Sequence, residues 1–150
     1  MISVALYQPD IAQNVGSILR TAVAFGVEVH LIEPMGFVWN EQKMRRAGMD
    51  YLERARVTRH ASWQAFTASA HYQRLVLLTT KGATPLQQFT PQDGDCYLFG
   101  SEGAGVPEEV HQQVDERIVI PMVAGERSIN LAQSCGITLF NVMRDLAILP

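Results

Sequence analysis

The sequence lacks the features that mark membrane, secreted and metal-binding proteins. Its apolar runs, such as residues 75–78, fall far short of the roughly 20 residues that a helix needs to cross a bilayer. The N-terminus has neither the basic region nor the small-residue cleavage site of a signal peptide. The two cysteines, Cys96 and Cys135, form no C-x-x-C pair, and the four histidines share no metal-ligand spacing. We therefore expect a cytoplasmic protein without a membrane partner, a disulfide framework or a metal.

What the sequence does contain is enough apolar side chain for a folded core. Of its 150 residues, 47% are hydrophobic and 18% are charged, which excludes an intrinsically disordered chain. A chain of this length buries roughly 68–70% of the surface that it exposes when unfolded. Neither a linker nor a repeat interrupts it, so we expect one domain over residues 1–150.

Positive charge is scarce overall but concentrated in one segment. The net charge is −3, with −6 over residues 83–150 and +3 over residues 1–82. Residues 43–59 hold six basic residues against two acidic ones, and five of the six are arginines, whose planar guanidinium suits phosphate. Two interpretations remain open: a solvated charged surface, and a contact surface for RNA. In the second, Phe37 and Trp39 are candidates for stacking on unpaired bases.

Short apolar runs alternate with amphipathic segments along the chain. Because the strand-like runs are apolar on both faces, we predict an α/β fold with a mostly parallel sheet flanked by helices. Asn14, Ser62 and Ser128 are the predicted N-caps, and Gly26 is a predicted helix end. The predicted strands are 2–6, 27–32, 75–79, 96–99 and 117–120, and the predicted helices are 15–25, 40–47, 62–70, 107–114 and 131–149.

Ligands of parallel sheets bind beyond the carboxyl ends of the strands, so the loops at those ends are the candidate sites. Residues 100–107 read Gly-Ser-Glu-Gly-Ala-Gly-Val-Pro, directly after a predicted strand. These glycines allow a backbone to approach a ligand closely, although a turn that needs glycine for its own geometry is the alternative. Their spacing matches neither G-x-G-x-x-G nor a P-loop, which disfavours an NAD-dependent oxidoreductase.

Two further loops bring unusual polar residues next to helix starts. Arg127, Ser128 and Asn130 follow an apolar Ile-Pro-Met stretch at residues 120–122. After the first strand, Arg20 is predicted to lie about one helical turn from Asn14 or Gly16, on the same face of a helix. A surface arginine without a function is the alternative for Arg20.

These loops contain three motifs in a fixed order: Asn14-x-Gly-x-x-x-Arg20, Gly100-x-Glu-x-x-Gly-x-Pro107 and Ser128-x-Asn-Leu131. Together they resemble the three motifs of the SpoU/TrmH branch of the SPOUT RNA methyltransferases. Residues 32–37, 45–51, 79–82 and 120–123 are similar to the minimal members of that branch, which methylate the ribose 2′-hydroxyl of the tRNA wobble nucleotide. The resemblance covers essentially the whole chain.

The resemblance implies a fold, a cofactor and partners. The C-terminal part is expected to form a trefoil knot, and the chain is expected to act as a homodimer on the anticodon stem-loop of tRNA. The implied cofactor is S-adenosylmethionine, with no metal. The implied site residues are Arg20, Asn14 and Asn130 for catalysis, Leu78, Thr79, Gly100, Ile120, Met122 and Ser128 for the cofactor, and Arg45, Arg46, Lys81 and Arg127 for the RNA.

Two properties of the residues refine these expectations. The guanidinium pKa exceeds about 12, so Arg20 is expected to contact phosphate and stabilise developing alkoxide charge rather than act as a simple base. Ile137, Phe140 and Leu149 lie off the main apolar face of the last helix, which predicts a second copy to cover them. The alternative function is an RNA- or nucleotide-binding α/β module without transferase activity.

Overall fold

The computed structural model describes residues 1–46, 49–81 and 84–150, and its described part is built on one seven-stranded sheet. The strands are β1 (Ser3–Tyr7), β2 (Glu28–Ile32), β3 (Val57–His60), β4 (Arg74–Leu78), β5 (Thr84–Pro85), β6 (Asp95–Phe99) and β7 (Glu116–Val119). The helices are α1 (Ala12–Phe25), α2 (Glu41–Arg46), α3 (Trp63–Ser69), α4 (Glu108–Gln113) and α5 (Leu131–Asp145), and 3₁₀ turns lie at Asp50–Glu53 and Leu86–Gln88. The strand order is β3-β2-β1-β6-β4-β7-β5, and every pairing is parallel.

The predicted α/β class with a parallel sheet is confirmed. All five residues of β1 and of β6 are buried, as expected of strands covered on both faces. The sequence reading missed β3 and β5. Thr58 and Arg59 are exposed in the edge strand β3, which therefore has no apolar run, and β5 is only two residues long.

Two of the predicted helix caps are wrong. Asn14 lies inside α1, because the helix begins at Ala12 with Ile11 as its N-cap. Asn130, not Ser128, caps α5, and its side-chain oxygen accepts from the Gln133 amide at 3.2 Å. The other two caps are confirmed: the Ser62 hydroxyl accepts from the Ala65 amide at 3.0 Å, and Gly26 ends α1 in the left-handed region.

The core lies on both faces of the sheet. Val4 and Leu6 of β1 pack in the cluster that includes α1 and α5, whereas Ala5 and Tyr7 face the cluster that includes α3 and α4. The side chains of one strand thus alternate between the two layers of helices. Within the described residues, no helix is long and apolar enough to cross a membrane.

The strand order decides which loops meet. β6 lies between β1 and β4, and β7 lies on the other side of β4. All these strands run in the same direction, so the chain leaves them at one edge of the sheet. The loops after β1, β4, β6 and β7, which are remote in sequence, therefore converge there, at the edge where ligands bind in parallel sheets.

Candidate active site

A cleft of about 490 Å³ opens where these loops converge. Its volume lies in the range of about 300–1,000 Å³ that is usual for small-molecule sites. Leu78, Ile120 and Met122 contribute half-buried apolar side chains to its wall. The cleft brings together every residue predicted for the cofactor and four of the others: Leu78, Thr79, Gly100, Ile120, Met122 and Ser128, with Asn14, Asn130, Lys81 and Arg127.

The glycine-rich loop after β6 folds back on itself. The Ser101 amide donates to the Gly105 carbonyl at 3.0 Å, and the Gly105 amide donates to the Ser101 carbonyl at 3.0 Å. Gly105 has a φ of 65°, which favours glycine. A Cβ on Gly100 would lie 2.6 Å from the Cα of Gly105. Gly100 is therefore required by the packing of the loop itself, which is the alternative that the sequence left open.

Glu102, at the tip of this loop, holds the start of α1. Its Oε1 accepts from the Asp10 amide at 2.9 Å, and its Oε2 accepts from the Ile11 amide at 2.9 Å. The Gly103 amide donates in return to Asp10 Oδ2 at 3.4 Å. A carboxylate at the first turn of a helix satisfies amides that have no partner inside the helix. The carboxylate thus fixes the N-cap residue Ile11 and the residue before it, although α1 has no side-chain cap.

A chain of side-chain hydrogen bonds crosses the cleft from Glu102 to α5. Asn14 Nδ2 donates to Glu102 Oε2 at 3.1 Å, and Asn130 Nδ2 donates to Asn14 Oδ1 at 3.2 Å. These bonds fix which end of each amide faces its neighbour. One residue of each of the three motifs thus enters a single network.

Sequence reasoning assigned no role to Glu102, although it quoted this residue within the second motif. Glu102 lines the cleft and is the sole carboxylate among the lining residues that the structure describes. The signal that was available is its place between glycines directly after a strand. The partners that give it a role are 88 to 92 positions away in sequence, so no local pattern reveals them.

Arg20 does not share the cleft with Asn14. The Arg20 side chain is exposed and lines a second cavity of about 380 Å³, between α1 and the 3₁₀ turn at Asp50–Glu53. The expectation that Arg20 shares a helix face with Asn14 is therefore wrong, whereas Gly16, four positions before Arg20 on α1, does lie on its face. They are six positions apart on α1, which turns Arg20 by about 120° and moves it about 9 Å along the axis.

The basic segment is only partly available for an RNA. Arg45 pairs with Glu53 at 2.6 Å and lies 3.9 Å from Glu41. Arg56 donates to the Gly26 carbonyl at 2.5 Å, and Arg59 pairs with Glu33. Since protein groups engage Arg56 and Arg59, we do not include these two in the RNA surface.

The aromatic residues before the segment are likewise engaged. Trp39 lies under the Arg59 guanidinium, 5.6 Å from ring centroid to Cζ. Phe37 and Trp39 are both half-buried against the core, whereas Val38 between them is 87% exposed.

Three residues of the stretches that carry the resemblance, Ala47, Gly48 and Gly82, lie outside the described residues. Ala47 is also the last position of the helix predicted at 40–47.

Within the described residues, the structure contains no group of three or more histidine, cysteine, aspartate or glutamate side chains that could hold a metal ion. His30 and His60 form a buried pair instead, with 2.9 Å between Nδ1 of His30 and Nε2 of His60. Burial lowers the pKa of both imidazoles. The pair lies between β2 and β3 under Phe66, away from the cleft.

The chain is similar to the members of one known protein family. The model of the SpoU rRNA Methylase family matches residues 1–140. A tRNA (cytidine(34)-2′-O)-methyltransferase of Ancylobacter novellus is 47% identical over 146 residues, which is 96% of this chain and 92% of the relative.

Solved structures of RNA methyltransferases are similar to this chain over nearly its whole length. One described as "Structural insights into the 2-OH methylation of C/U34 on tRNA" superposes with a TM-score of 0.90 at 37% identity, covering 98% of this chain and 97% of that one. An AdoMet-bound rRNA methyltransferase of Sinorhizobium meliloti has a TM-score of 0.84 at 27% identity, over 97% of this chain and 56% of its own.

Proposed function

The chain belongs to the SpoU rRNA methylase family, and we propose that it transfers a methyl group from S-adenosylmethionine to the ribose 2′-hydroxyl of the wobble nucleotide of tRNA, a cytidine or a modified uridine. The observation that carries the proposal is the cleft, where residues of all three motifs meet around one cavity. The whole-length similarity to a wobble-nucleotide methyltransferase and the fold shared with an AdoMet-bound rRNA methyltransferase both support it.

The residues of the cleft fit the cofactor. Leu78, Ile120 and Met122 offer half-buried apolar surface for an adenine ring. Gly100 and Gly105 leave their own backbone without side chains where they line the cleft, so a ligand can approach closely there. Thr79 and Ser128 add hydroxyl groups, so the assigned cofactor residues are Leu78, Thr79, Gly100, Ile120, Met122 and Ser128.

The chain must place the acceptor oxygen and stabilise the charge that develops on it. S-adenosylmethionine, when bound, supplies a methyl group already activated on a sulfonium. Asn14 and Asn130 line the cleft with their amides oriented by Glu102, so they orient the target nucleotide. Arg20 contacts the phosphate of that nucleotide and stabilises the developing alkoxide, which an arginine does through its permanent charge.

Arg20 reaches the cleft from a second subunit. Within one chain it lies in the other cavity, about 9 Å along α1 from Asn14. α1 and α5 pack side by side, and α5 begins at the cleft, where Leu131 and Ser134 line it. A partner packed along this pair of helices therefore borders the cleft, and its own Arg20 lies on the exposed side of α1.

The outer face of α5 supports a homodimer. On α5, Ile137 is 44% exposed and Phe140 is 51% exposed, whereas the third predicted residue, Leu149, is 36% exposed and lies beyond the end of the helix at Asp145. An apolar stripe of this kind on one helix calls for a covering surface, and a twofold copy supplies a self-complementary one. Light scattering at micromolar concentration should give the dimer mass, and Phe140→Glu should shift the protein toward monomer. A monomeric wild type would contradict the arrangement.

The strand order supports a knotted C-terminal part. After β4 the chain forms β5 at the sheet edge, returns past β4 to β6, and then places β7 between β4 and β5. The chain therefore passes β4 twice, which is the path that the knot implied by the resemblance requires. The α5 helix then packs against α1 on one face.

The tRNA approaches the side of the molecule where the cleft opens. Lys81 and Arg127 are exposed at the mouth of the cleft, and Arg46 is exposed on α2. We assign these cations, with Arg45 in a lesser role, to the anticodon stem-loop. Since its substrate is tRNA, the enzyme acts in the cytoplasm.

Methyl transfer from labelled S-adenosylmethionine to total tRNA, followed by nucleoside mapping, tests the function. We expect label in the 2′-O-methylated nucleoside of the wobble position. Binding of both cofactor and tRNA without any transfer would favour the alternative, a binding module without transferase activity. Label at another position would contradict the assigned substrate.

The role of Arg20 is tested by mixing two inactive variants. Arg20→Ala removes the guanidinium and leaves the cleft intact, whereas Met122→Asp puts a carboxylate into the apolar wall. If Arg20 acts on the partner's cleft, dimers that contain one chain of each kind have one complete site. After random reassociation of equal amounts, half of the dimers are mixed, and each mixed dimer has one complete site of two. About a quarter of the wild-type activity should therefore return. No recovery in proven mixed dimers would place Arg20 in its own chain's site or outside catalysis.

A further inference from the structure

The cavity that contains Arg20 is an open groove on the surface of the molecule. It holds about 380 Å³ and lies between α1, which contributes Arg20, Val23 and Ala24, and the 3₁₀ turn, which contributes Asp50 and Tyr51. Arg54, the residue that ends the 3₁₀ turn, completes the wall opposite α1. The groove therefore has an apolar side and two guanidinium groups.

The floor of the groove is fixed to α1. The Tyr51 hydroxyl donates to the Gly16 carbonyl at 2.6 Å, and Tyr51 is only 9% exposed. Met49 packs so closely on Gly16 that a Cβ there would collide with its side chain. The Met49 side chain and the Tyr51 hydroxyl thus hold the 3₁₀ turn against the part of α1 that leads to Arg20.

Within the described residues, neither arginine of the groove forms an ion pair. Over residues 1–46, 49–81 and 84–150, Arg20 and Arg54 have no carboxylate oxygen within the 4.0 Å of a salt bridge. Glu53, the acid next to Arg54, is bound to Arg45 instead, at 2.6 Å. Asp50 lines the groove, so the local charge is two positive groups against one negative group.

We propose that this groove binds a backbone phosphodiester of the RNA substrate between Arg20 and Arg54, which makes Arg54 a substrate-binding residue. The proposal rests on the proposed function. A guanidinium offers paired N–H donors that match phosphate oxygens, and two of them can grip one group from two sides. The net charge of the groove is one positive unit, which matches the single negative charge of a phosphodiester better than the two charges of a free phosphate monoester.

The groove is separate from the cofactor cleft, and this separation gives the proposal a distinct readout. None of the residues that line the groove also lines the cleft. Loss of Arg54 should therefore weaken RNA binding and raise the KM for tRNA while the affinity for S-adenosylmethionine stays unchanged. Loss of Arg20 should in addition lower kcat, because Arg20 acts at the reacting nucleotide.

The test compares Arg54→Gln with Arg56→Gln. Both positions are exposed and two residues apart, and both changes remove one positive charge, but the Arg56 guanidinium is held by the Gly26 carbonyl outside the groove. The measurements are fluorescence anisotropy with a labelled anticodon stem-loop at four salt concentrations and calorimetric titration with S-adenosylmethionine. Arg54→Lys serves as the conservative variant.

We expect Arg54→Gln to weaken RNA binding about tenfold and to flatten the log–log salt slope by roughly 0.7–0.9, whereas Arg56→Gln changes neither. Arg54→Lys should keep the slope and recover only part of the affinity, because it keeps the charge without the paired donors. Inorganic phosphate should compete weakly with the stem-loop for the wild type.

Equal effects of Arg54→Gln and Arg56→Gln would overturn the proposal, because charge alone would then account for both. Strong, specific binding of free phosphate, with no loss of RNA affinity in Arg54→Gln, would also overturn it and would make the groove a small-anion site. A different result would contradict the proposed function: the wild type would bind RNA but transfer no methyl group to tRNA.

Discussion

Oε2 of Glu102 accepts a hydrogen bond from Nδ2 of Asn14 at 3.1 Å, across 88 positions of sequence. The same oxygen accepts from the Ile11 amide at 2.9 Å, so one carboxylate both anchors the start of α1 and orients a side chain of the cleft. The glycine-rich loop and the first helix are thereby coupled. A change at Glu102 should affect both stability and the alignment of substrate.

Glu102→Gln tests this coupling. A glutamine amide turns one acceptor into a donor, so at least one of the amides of Asp10 and Ile11 loses its partner. We expect unfolding free energy to fall by about 1–3 kcal/mol and kcat to fall at least tenfold, with cofactor affinity within about threefold. Urea denaturation, calorimetry and methyl-transfer rates measure the three quantities.

The matched control for this change is Glu108→Gln, which alters an exposed carboxylate in the first turn of the short helix α4. Its effect on kcat should be negligible. If both substitutions leave kcat unchanged, Glu102 does not orient the substrate side of the cleft.

Gly100→Ala should reduce cofactor affinity because the added Cβ would lie 2.6 Å from backbone atoms of Gly105. Backbone cannot rotate away as a side chain can, so the loop that lines the cleft must shift; Gly100→Val should be worse. Titration of S-adenosylmethionine measures the loss. Gly136→Ala is the control: a Cβ there meets nothing within 4 Å, and alanine should stabilise α5 by about 0.5–1 kcal/mol. Unchanged affinity in Gly100→Val would place the cofactor elsewhere.

The buried histidine pair predicts a pH dependence of stability. Burial lowers the folded-state pKa of His30 and His60, so the unfolded chain binds more protons than the folded chain as the pH falls through the unfolded value near 6.5. The unfolding free energy should therefore be highest above pH 7 and should decrease between pH 7 and 5. Glu28, 3.3 Å from His30 Nε2, partly opposes the shift at His30.

Chemical denaturation at a series of pH values checks this expectation. His60→Gln should flatten the pH dependence between 5 and 7 whatever its effect on the stability at pH 8. His71→Gln removes an exposed imidazole and should leave the dependence as it is. If the unfolding free energy of the wild type and of both variants changes equally with pH, groups other than His60 control this dependence.

Arg45 and Arg46 should differ in their contribution to RNA binding, although they are adjacent. Arg45 is paired with Glu53 at 2.6 Å, whereas Arg46 is exposed at the end of α2. We expect Arg46→Ala to flatten the salt slope of tRNA binding by roughly 0.7–0.9 and to raise the KM for tRNA, and Arg45→Ala to do less. A double variant with normal folding, an unchanged slope and unchanged kinetics would leave only surface ion pairing, worth about 0–1 kcal/mol for each pair.

The sequence by itself determined the class of fold. Apolar runs such as residues 75–78 and 96–99 are buried on both faces in the structure, because a parallel sheet covered by helices leaves no polar face. The sequence also indicated which loops form the candidate site, since glycines and polar residues at strand ends are local features. The gathering of Thr79, Gly100 and Ser128 in one cleft follows from strand direction, which the alternation of elements already implies.

Only the tertiary structure decided the contacts between distant segments. Asn14 reads locally as a helix cap, but α1 starts at Ala12, and Glu102 from another loop binds the amides of Asp10 and Ile11 directly before it. The packing of the 3₁₀ turn against α1, through the Tyr51 hydroxyl and the Gly16 carbonyl, places Arg20 in a groove with Arg54, and no local pattern shows this contact. Local propensity sets where helices can form, whereas the partners of each exposed amide and carboxylate depend on which loops the sheet brings together.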